Sequence, residues 1–236
     1  WIQKSMVMDK KIIVAIDLNN LNKALRLVKK LKNEVFAFKI GHEFFYNFGI
    51  DGYKKLYTIC PKIFLDLKLH DIPNTVEKGL KAILKLKPLF TTIHISGGDD
   101  MQKITALKNN KITQILGVTI LTSLDKNQTL KYYKEKNVKK LVTKFAHHAK
   151  KNNINGLVCS PLEIKTLRKE MGKKMVLVVP GIRLKNNTLK KKDDQKRTLT
   201  PKEAINYGAD YLVIGRPITE SNYPLETLKK INQSIN

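Results

Sequence analysis

The sequence predicts an α/β fold, and more specifically a single (β/α)8 TIM barrel. Eight short apolar runs alternate with longer amphipathic ones along the chain. Most of these runs are continuously apolar, which is typical of parallel strands buried on both faces. The length of 236 residues is close to the roughly 250 residues of one such barrel. A doubly wound sheet is the structural alternative, because periodicity alone does not show that a sheet closes on itself.

The predicted strands and helices follow one another without a break in composition. The strands are expected at Ile12–Ile16, Val35–Ile40, Ile63–Leu67, Phe90–Ile95, Ile115–Ile120, Gly156–Cys159, Met175–Val179 and Tyr211–Ile214. Apolar residues at helical spacing predict helices at Leu21–Leu31, Val76–Leu86 and Val138–Ala149. A further helix is expected at Pro201–Tyr207, with Thr200 as its N-cap and Gly208 at its end.

The domain organisation is expected to be simple. Hydrophobic residues make up 42% of the chain, enough for a sizeable core. We assign residues 11–236 to one TIM-barrel domain. Residues 1–10 form an N-terminal extension, either disordered or derived from expression, and they lack the apolar core of a secretory signal. No apolar run reaches the roughly 18 residues that would span a bilayer. The polar, lysine-rich segment 181–200 is predicted to be a mobile functional loop.

The charge and the cysteines place the chain among cytoplasmic proteins without nucleic-acid partners. The net charge is +25, but of the 45 basic residues only five are Arg, which leaves 40 Lys. Proteins that read bases and phosphates rely on the planar fork of Arg, and these lysines are spread along predicted helix faces. We therefore interpret them as a solvated surface whose field attracts anionic small molecules. Cys60 and Cys159 lie in apolar runs and are predicted to be buried free thiols in a reducing cytosol.

Polar residues interrupt the apolar strands near their carboxyl ends, where TIM-barrel enzymes place their active sites. An unpaired charged group inside an apolar strand destabilises the fold by roughly 3–5 kcal/mol. Together these residues predict one polar site at the mouth of the barrel. They are Asp17, Lys39, Asp66, Lys68, His94, Thr119, Thr122, Arg183, Gly215 and Arg216.

Asp66 and Lys68 are two residues apart, so that on a strand both point to one face, here the barrel interior. Asp71 follows on the next turn, and Lys39 comes from the neighbouring strand. The four side chains predict an alternating array of ammonium and carboxylate groups. Because flanking carboxylates favour the protonated ammonium, Lys68 can act as an acid. A buried ion-pair network that only specifies the fold is the alternative.

Two glycine-arginine motifs predict a phosphate site. Gly181-Ile182-Arg183 follows the seventh strand and Gly215-Arg216 follows the eighth. The loops after these strands form a recurrent phosphate site in barrels, where glycine allows close backbone approach. Arg216 supplies a guanidinium for the phosphate oxygens.

The segment Asp66-Leu67-Lys68-Leu69-His70-Asp71-Ile72-Pro73-Asn74-Thr75 closely resembles the signature of the orotidine 5'-phosphate decarboxylase family, bacterial type. The resemblance continues at Asp17, at Phe38–Gly41, at Val118–Ser123, at Pro180–Arg183, at Asp194–Arg197 and at Val213–Ile218. It therefore covers nearly the whole chain in the order of the family.

The resemblance implies a role for each matching residue. Lys68 would protonate C6 of the pyrimidine, and Asp66 would face the substrate carboxylate. Asp17 and Lys39 would hold the ribose hydroxyls and help align the charged array, with Lys39 among the catalytic residues. Thr122 would contact the pyrimidine edge. Gln195, Gly215 and Arg216 would bind phosphate, with Arg183 close by. Asp71, Ile72 and Thr75 would reach the site of the partner subunit in a homodimer, with Asp71 among the catalytic residues.

The function implied by this resemblance is the decarboxylation of orotidine 5'-phosphate to UMP and CO2, the last step of de novo UMP biosynthesis. The implied mechanism is a direct decarboxylation through a C6 carbanion, without metal or organic cofactor. Two alternatives remain at this point. One is a metal-dependent sugar-phosphate decarboxylase of the same superfamily, and the other is a basic nucleic-acid-binding protein. The second lacks interleaved aromatics on a basic strand and any helix-turn-helix or finger signature.

Overall fold

A computed structural model of the protein describes residues 10–106, 112–184 and 199–235. Eight parallel strands form one closed barrel in sequence order, in which the last strand pairs with the first. The strands are β1 (Ile12–Ala15), β2 (Ala37–Ile40), β3 (Ile63–Leu69), β4 (Phe90–His94), β5 (Gln114–Val118), β6 (Gly156–Val158), β7 (Val176–Val179) and β8 (Tyr211–Ile214). The closure confirms the predicted (β/α)8 barrel and excludes the doubly wound sheet. All eight strands lie where the apolar runs predicted them, with differences of one or two residues at their ends.

Helices cover the outside of the barrel. They are α1 (Leu21–Leu31), α2 (His42–Ile59), α3 (Pro73–Leu84), α4 (Asp99–Lys103), α5 (Lys126–Tyr133), α6 (Val138–Lys151), α7 (Ile164–Met171), α8 (Pro201–Asn206), α9 (Arg216–Thr219) and α10 (Pro224–Ile235). The four predicted helices are present. Helix α3 begins at Pro73, three residues before its prediction, because proline is well suited to a first helical turn. Thr200 caps α8 by accepting a hydrogen bond from the Glu203 amide, as predicted.

Strand alternation divides the core into two layers. Inward-facing residues such as Ala37 and Phe64 fill the barrel, while outward-facing ones such as Ile40 and Leu65 pack against the helices. Lys39 stands two residues after Ala37, and Asp66 two residues after Phe64. The next inward-facing layer, towards the carboxyl ends of the strands, is therefore charged.

Cys60 and Cys159 are both buried free thiols, which confirms that part of the cysteine prediction. Within the three described ranges, no helix has both the length and the apolar character that a membrane crossing requires.

Candidate active site

A cavity of about 600 Å³ opens at the carboxyl ends of the strands. Eight residues predicted from the sequence line it: Asp17, Lys39, Asp66, Lys68, Thr122, Arg183, Gly215 and Arg216. They come from six different strands or the loops after them, and the barrel closure brings them together. The structure thus places these residues in one site, while their individual roles remain predictions.

Four charged side chains form a chain of contacts along one wall of the cavity. Lys68 Nζ lies 2.8 Å from Asp66 Oδ2, and Lys39 Nζ lies 3.8 Å from the same oxygen. Lys39 Nζ is also 3.4 Å from Oδ1 of Asp17. Aspartate and lysine therefore alternate in the order Asp17, Lys39, Asp66, Lys68. The sequence predicted Lys39, Asp66 and Lys68 as members of this array. The fourth predicted member, Asp71, does not line the cavity, and Asp17 contacts Lys39 instead.

Asp66 is the most buried member of the array, at 6% exposure. Burial alone would raise the pKa of its carboxyl group, but the charges of Lys39 and Lys68, with hydrogen bonds from Lys68 and Thr92, hold that pKa below its usual value. Asp66 is therefore an anion in the neutral pH range. Its negative charge faces the cavity beside the Lys68 ammonium.

The backbone at Lys68 departs from regular strand geometry. Its φ of 49° lies in the left-handed region, which costs a non-glycine residue roughly 1–2 kcal/mol. Across the pairing of β3 with β4, Leu65 is opposite Thr91 and Leu69 is opposite Ile93. Four residue steps on β3 thus face two on β4, so that β3 bulges at this point. Lys68 thus lies beside Asp66, as the two-residue spacing predicts, although its backbone is not that of a regular strand.

Gly41 leaves the room that the array needs. A Cβ atom at Gly41 would lie 3.1 Å from Lys39 Nζ and 3.6 Å from Asp17 Oδ1. A methyl group there would be in ordinary contact with Asp17 but would press on the Lys39 ammonium, so glycine leaves Lys39 free to keep its place beside Asp17.

The two glycine-arginine motifs follow β7 and β8, which pair with each other and close the barrel against β1, and Arg183 and Arg216 both line the cavity. Gly181 has a φ of 79°, a conformation that glycine adopts without strain. Gly215 lies against β1, where an added Cβ would be 3.4 Å from that of Ala15. These loops can bring two guanidinium groups and backbone amides to an anionic group. Gln195 and most of the predicted loop 181–200 fall in residues 185–198, outside the described residues.

Three predicted site residues do not line this cavity. Asp71, Ile72 and Thr75 lie where β3 leads into α3, and all three are exposed, Ile72 by 65%. Asp71 Oδ1 accepts a hydrogen bond from the Ile72 amide at 2.6 Å. They are accessible to a second chain, which the predicted sharing of a site between subunits requires.

His94 and Thr119, which the sequence also predicted at the mouth of the barrel, do not line the cavity. His94 ends β4 with its ring 5.2 Å from that of His70. Burial, His70 and Lys68 lower the pKa of His94 to about 4, against a smaller opposite effect of Asp66. Thr119 Oγ1 donates to the Val158 carbonyl at 3.2 Å and joins β5 to β6. His94 thus contacts the segment that follows β3, and Thr119 links β5 to β6.

Some residues of the site were not predicted from the sequence. Glu43, Cys159 and Glu220 line the cavity, and Thr92 hydrogen-bonds to Asp66 from beneath it. A hydroxyl inside an apolar strand is a signal, since buried polar groups are nearly always hydrogen-bonded, and it points to Thr91 and Thr92 alike. Across residues 10–106, 112–184 and 199–235, no three His, Cys, Asp or Glu side chains form a group that could hold a metal ion.

Fold and site together define a TIM-barrel enzyme whose mouth holds alternating lysines and aspartates together with two arginines. Residues 10–231 match the model of the orotidine 5'-phosphate decarboxylase / HUMPS family. The chain therefore belongs to this family.

Individual relatives agree with the family model. An orotidine 5'-phosphate decarboxylase from Wolbachia sp. subsp. Brugia malayi (strain TRS) is 44% identical over 226 residues, covering 95% of this chain and 98% of the relative. The enzyme of the same name from Ehrlichia canis (strain Jake) is 42% identical over 227 residues, covering 95% and 97%. Among solved structures, the orotidine 5'-phosphate decarboxylase of Lactobacillus acidophilus aligns with a TM-score of 0.80 at 37% identity, over 97% of this chain and 100% of that one.

Proposed function

We propose that the protein decarboxylates orotidine 5'-phosphate to UMP and CO2, the last step of de novo UMP biosynthesis. The observation that carries this proposal is the contact of 2.8 Å between Lys68 Nζ and Asp66 Oδ2 on the wall of the cavity. It sets a proton donor beside a buried carboxylate, which suits a reaction that expels one carboxylate and protonates the carbon left behind. The match to the decarboxylase family and to relatives of that name supports the same reaction.

In the proposed reaction the substrate carboxylate lies next to Asp66. The bond from C6 to the carboxylate carbon breaks, its electron pair stays on C6, and CO2 leaves. The Lys68 ammonium stabilises the resulting carbanion and then gives its proton to C6, after which solvent returns a proton to Lys68. A preorganised charge of this kind is usually the largest source of transition-state stabilisation.

The remaining site residues are proposed to bind the rest of the substrate. Asp17 and Lys39 hold the ribose hydroxyls, and Thr122 contacts the pyrimidine edge. The phosphate binds at the two glycine-arginine motifs, through Gly215, Arg216 and Arg183, together with Gln195. Because the phosphate takes no part in the bond changes at C6, its binding energy can be used to position C6 against Lys68.

The active form is proposed to be a homodimer. Asp71 and Thr75 are exposed beside Ile72, an apolar side chain that is 65% exposed. Two-fold symmetry would bury this segment against the partner and bring the same residues to the partner's site. Asp71 would then complete the charged array next to Lys68 of the other chain. We further propose that residues 11–236 form one domain and that the protein works in the cytoplasm.

The test is incubation with orotidine 5'-phosphate while the loss of orotate absorbance is followed and UMP is identified by chromatography. We expect conversion to UMP that is unchanged by a metal chelator. A sugar-phosphate decarboxylase of the same family would instead leave orotidine 5'-phosphate untouched. Absence of UMP formation by folded, dimeric protein would overturn the proposal.

A further inference from the structure

Thr92 on β4 connects the two central residues of the charged array from below. Its hydroxyl lies 2.9 Å from Asp66 Oδ1 and 2.9 Å from the backbone nitrogen of Lys68. The residue is fully buried, at 0% exposure, and it does not line the cavity. Thr92 therefore contacts the aspartate and the lysine of the site without being placed to contact a substrate.

The direction of both hydrogen bonds follows from the donors present. The Lys68 amide can only donate, so the Thr92 oxygen accepts from it. The single hydroxyl proton is then directed to Asp66, whose carboxylate can only accept. One oxygen of Asp66 is held by Thr92 and the other by Lys68 Nζ, which fixes the rotation of the carboxylate.

The same hydroxyl supports the bulge of β3. Because the register of β3 against β4 shifts between Leu65 and Leu69, the amide of Lys68 bonds to a side chain of β4. The carbonyl of the same peptide unit, that of Leu67, lies 3.2 Å from His42 Nε2. Side chains from β4 and α2 thus hold both ends of the peptide bond that precedes Lys68 in its left-handed conformation.

We propose that Thr92 is a positioning residue for the reaction, which holds the Lys68 ammonium towards the reacting carbon and the Asp66 carboxylate towards the substrate carboxylate. This inference rests on the decarboxylase function proposed above. Loss of the hydroxyl leaves one carboxylate oxygen of Asp66 and the amide of Lys68 without their partner, so that both groups move from their positions. A hydrogen bond to a charged group corresponds to about a 10- to 100-fold effect, and we expect kcat to fall by that factor.

The neighbouring Thr91 provides a matched control. It is also fully buried on β4, and its hydroxyl donates to the Leu65 carbonyl at 2.9 Å. Thr91→Val and Thr92→Val each remove one buried hydroxyl at nearly constant volume. A purely structural role predicts similar effects of the two substitutions on the melting temperature and on kcat.

The experiment measures kcat, KM and melting temperature for Thr92→Val and Thr91→Val with orotidine 5'-phosphate. It also measures the Kd of UMP and of a UMP analogue that carries an oxygen anion at C6, where the carbanion forms. For Thr92→Val we expect a 10- to 100-fold lower kcat, an unchanged Kd for UMP, and a Kd for the analogue weakened by a similar factor. Thr91→Val should keep kcat within about threefold of wild type, since its hydroxyl bonds to backbone away from the array.

A second pair of variants covers the case in which Thr92→Val does not fold. Thr92→Ser and Thr92→Ala both lack the methyl group and differ in the hydroxyl alone. We expect Thr92→Ser to retain most of the wild-type kcat and Thr92→Ala to show the loss. Equal kcat in the serine and alanine variants, or equal losses in the two valine variants, would overturn the role of Thr92. An inactive wild-type protein would instead count against the decarboxylase function itself.

Discussion

Lys68 Nζ and Asp66 Oδ2 form an ion pair of 2.8 Å although the backbone between them leaves regular strand geometry. The bulge turns Lys68 out of the β3 ladder, and its side chain reaches back to a carboxylate that is almost fully buried. Asp66 keeps a lowered pKa because positive charge on Lys39 and Lys68 outweighs its burial. The pair therefore combines a fixed negative charge with a mobile proton at one place in the cavity.

The first prediction concerns that proton. Lys68→Ala removes the proposed acid, and kcat should fall by at least about 100-fold, the usual minimum for a lost general acid. Lys30→Ala on the exposed face of α1 is the control and should leave kcat unchanged. The melting temperature of both variants shows whether the fold survives. A folded Lys68→Ala enzyme that keeps more than about a tenth of wild-type kcat would contradict the assignment.

The barrel could be predicted from the sequence because its strands are continuous apolar runs, such as Tyr211–Ile214, with amphipathic helices between them. The position of the site could be predicted for the same reason. Charged residues such as Lys39 come after the apolar residues of their strands, near the carboxyl ends. In TIM barrels the active site lies at these ends.

The details that escaped prediction depend on contacts between distant segments. The bulge at Lys68 is a change of register between β3 and β4, and a local pattern contains no information on register where both faces are buried. The role of Thr92 depends on its position across from Asp66, 26 residues earlier in the chain. Of the adjacent Thr91 and Thr92, the sequence alone does not tell which one faces the site.

The second prediction concerns the phosphate end of the cavity. Arg216→Ala should lower kcat/KM for orotidine 5'-phosphate by about 10- to 100-fold, as expected for a charge-assisted contact of roughly 1.5–3 kcal/mol. The same substitution should hardly change kcat/KM for orotidine, which has no phosphate. Arg26→Ala, on the exposed surface of α1, should affect neither substrate. Equal losses with both substrates would mean that Arg216 does not bind the phosphate.

The third prediction uses the lowered pKa of His94. Burial and the neighbouring His70 and Lys68 bring this pKa to about 4 from 6.5. A group with a lowered folded-state pKa stabilises the fold above its unfolded pKa, and that contribution is lost as pH falls from 6.5 towards 4. Between pH 7 and 5 the wild type should lose about 1 kcal/mol more unfolding free energy than His94→Gln, after allowance for solvent screening of the partly exposed ring.

Urea unfolding at the two pH values, at one protein concentration, measures this difference. Asn22→Ala, on the exposed surface of α1, is the control because it removes no titratable group. It should show the same loss of unfolding free energy between pH 7 and 5 as the wild type. If His94→Gln loses as much unfolding free energy between pH 7 and 5 as the wild type does, then His94 is not the group that titrates in this range.

The fourth prediction tests whether each active site takes residues from two chains. In the proposed dimer Lys68 serves its own site and Asp71 serves the partner's, so Lys68→Ala and Asp71→Asn homodimers should both be nearly inactive. In a heterodimer of the two variants, one site carries both defects. The other site has an intact Lys68 from one chain and an intact Asp71 from the other.

Co-refolding of equal amounts of the two variants should therefore restore activity. Random pairing makes about half of the dimers mixed, each with one good site of two, so activity should reach roughly a quarter of wild type. Each variant refolded alone is the control and should stay inactive. If Lys68 and Asp71 served the site of the same chain, every site in the mixture would keep one defect. A mixture that stays inactive, with heterodimers confirmed by mass, would rule out the role of Asp71 across the interface.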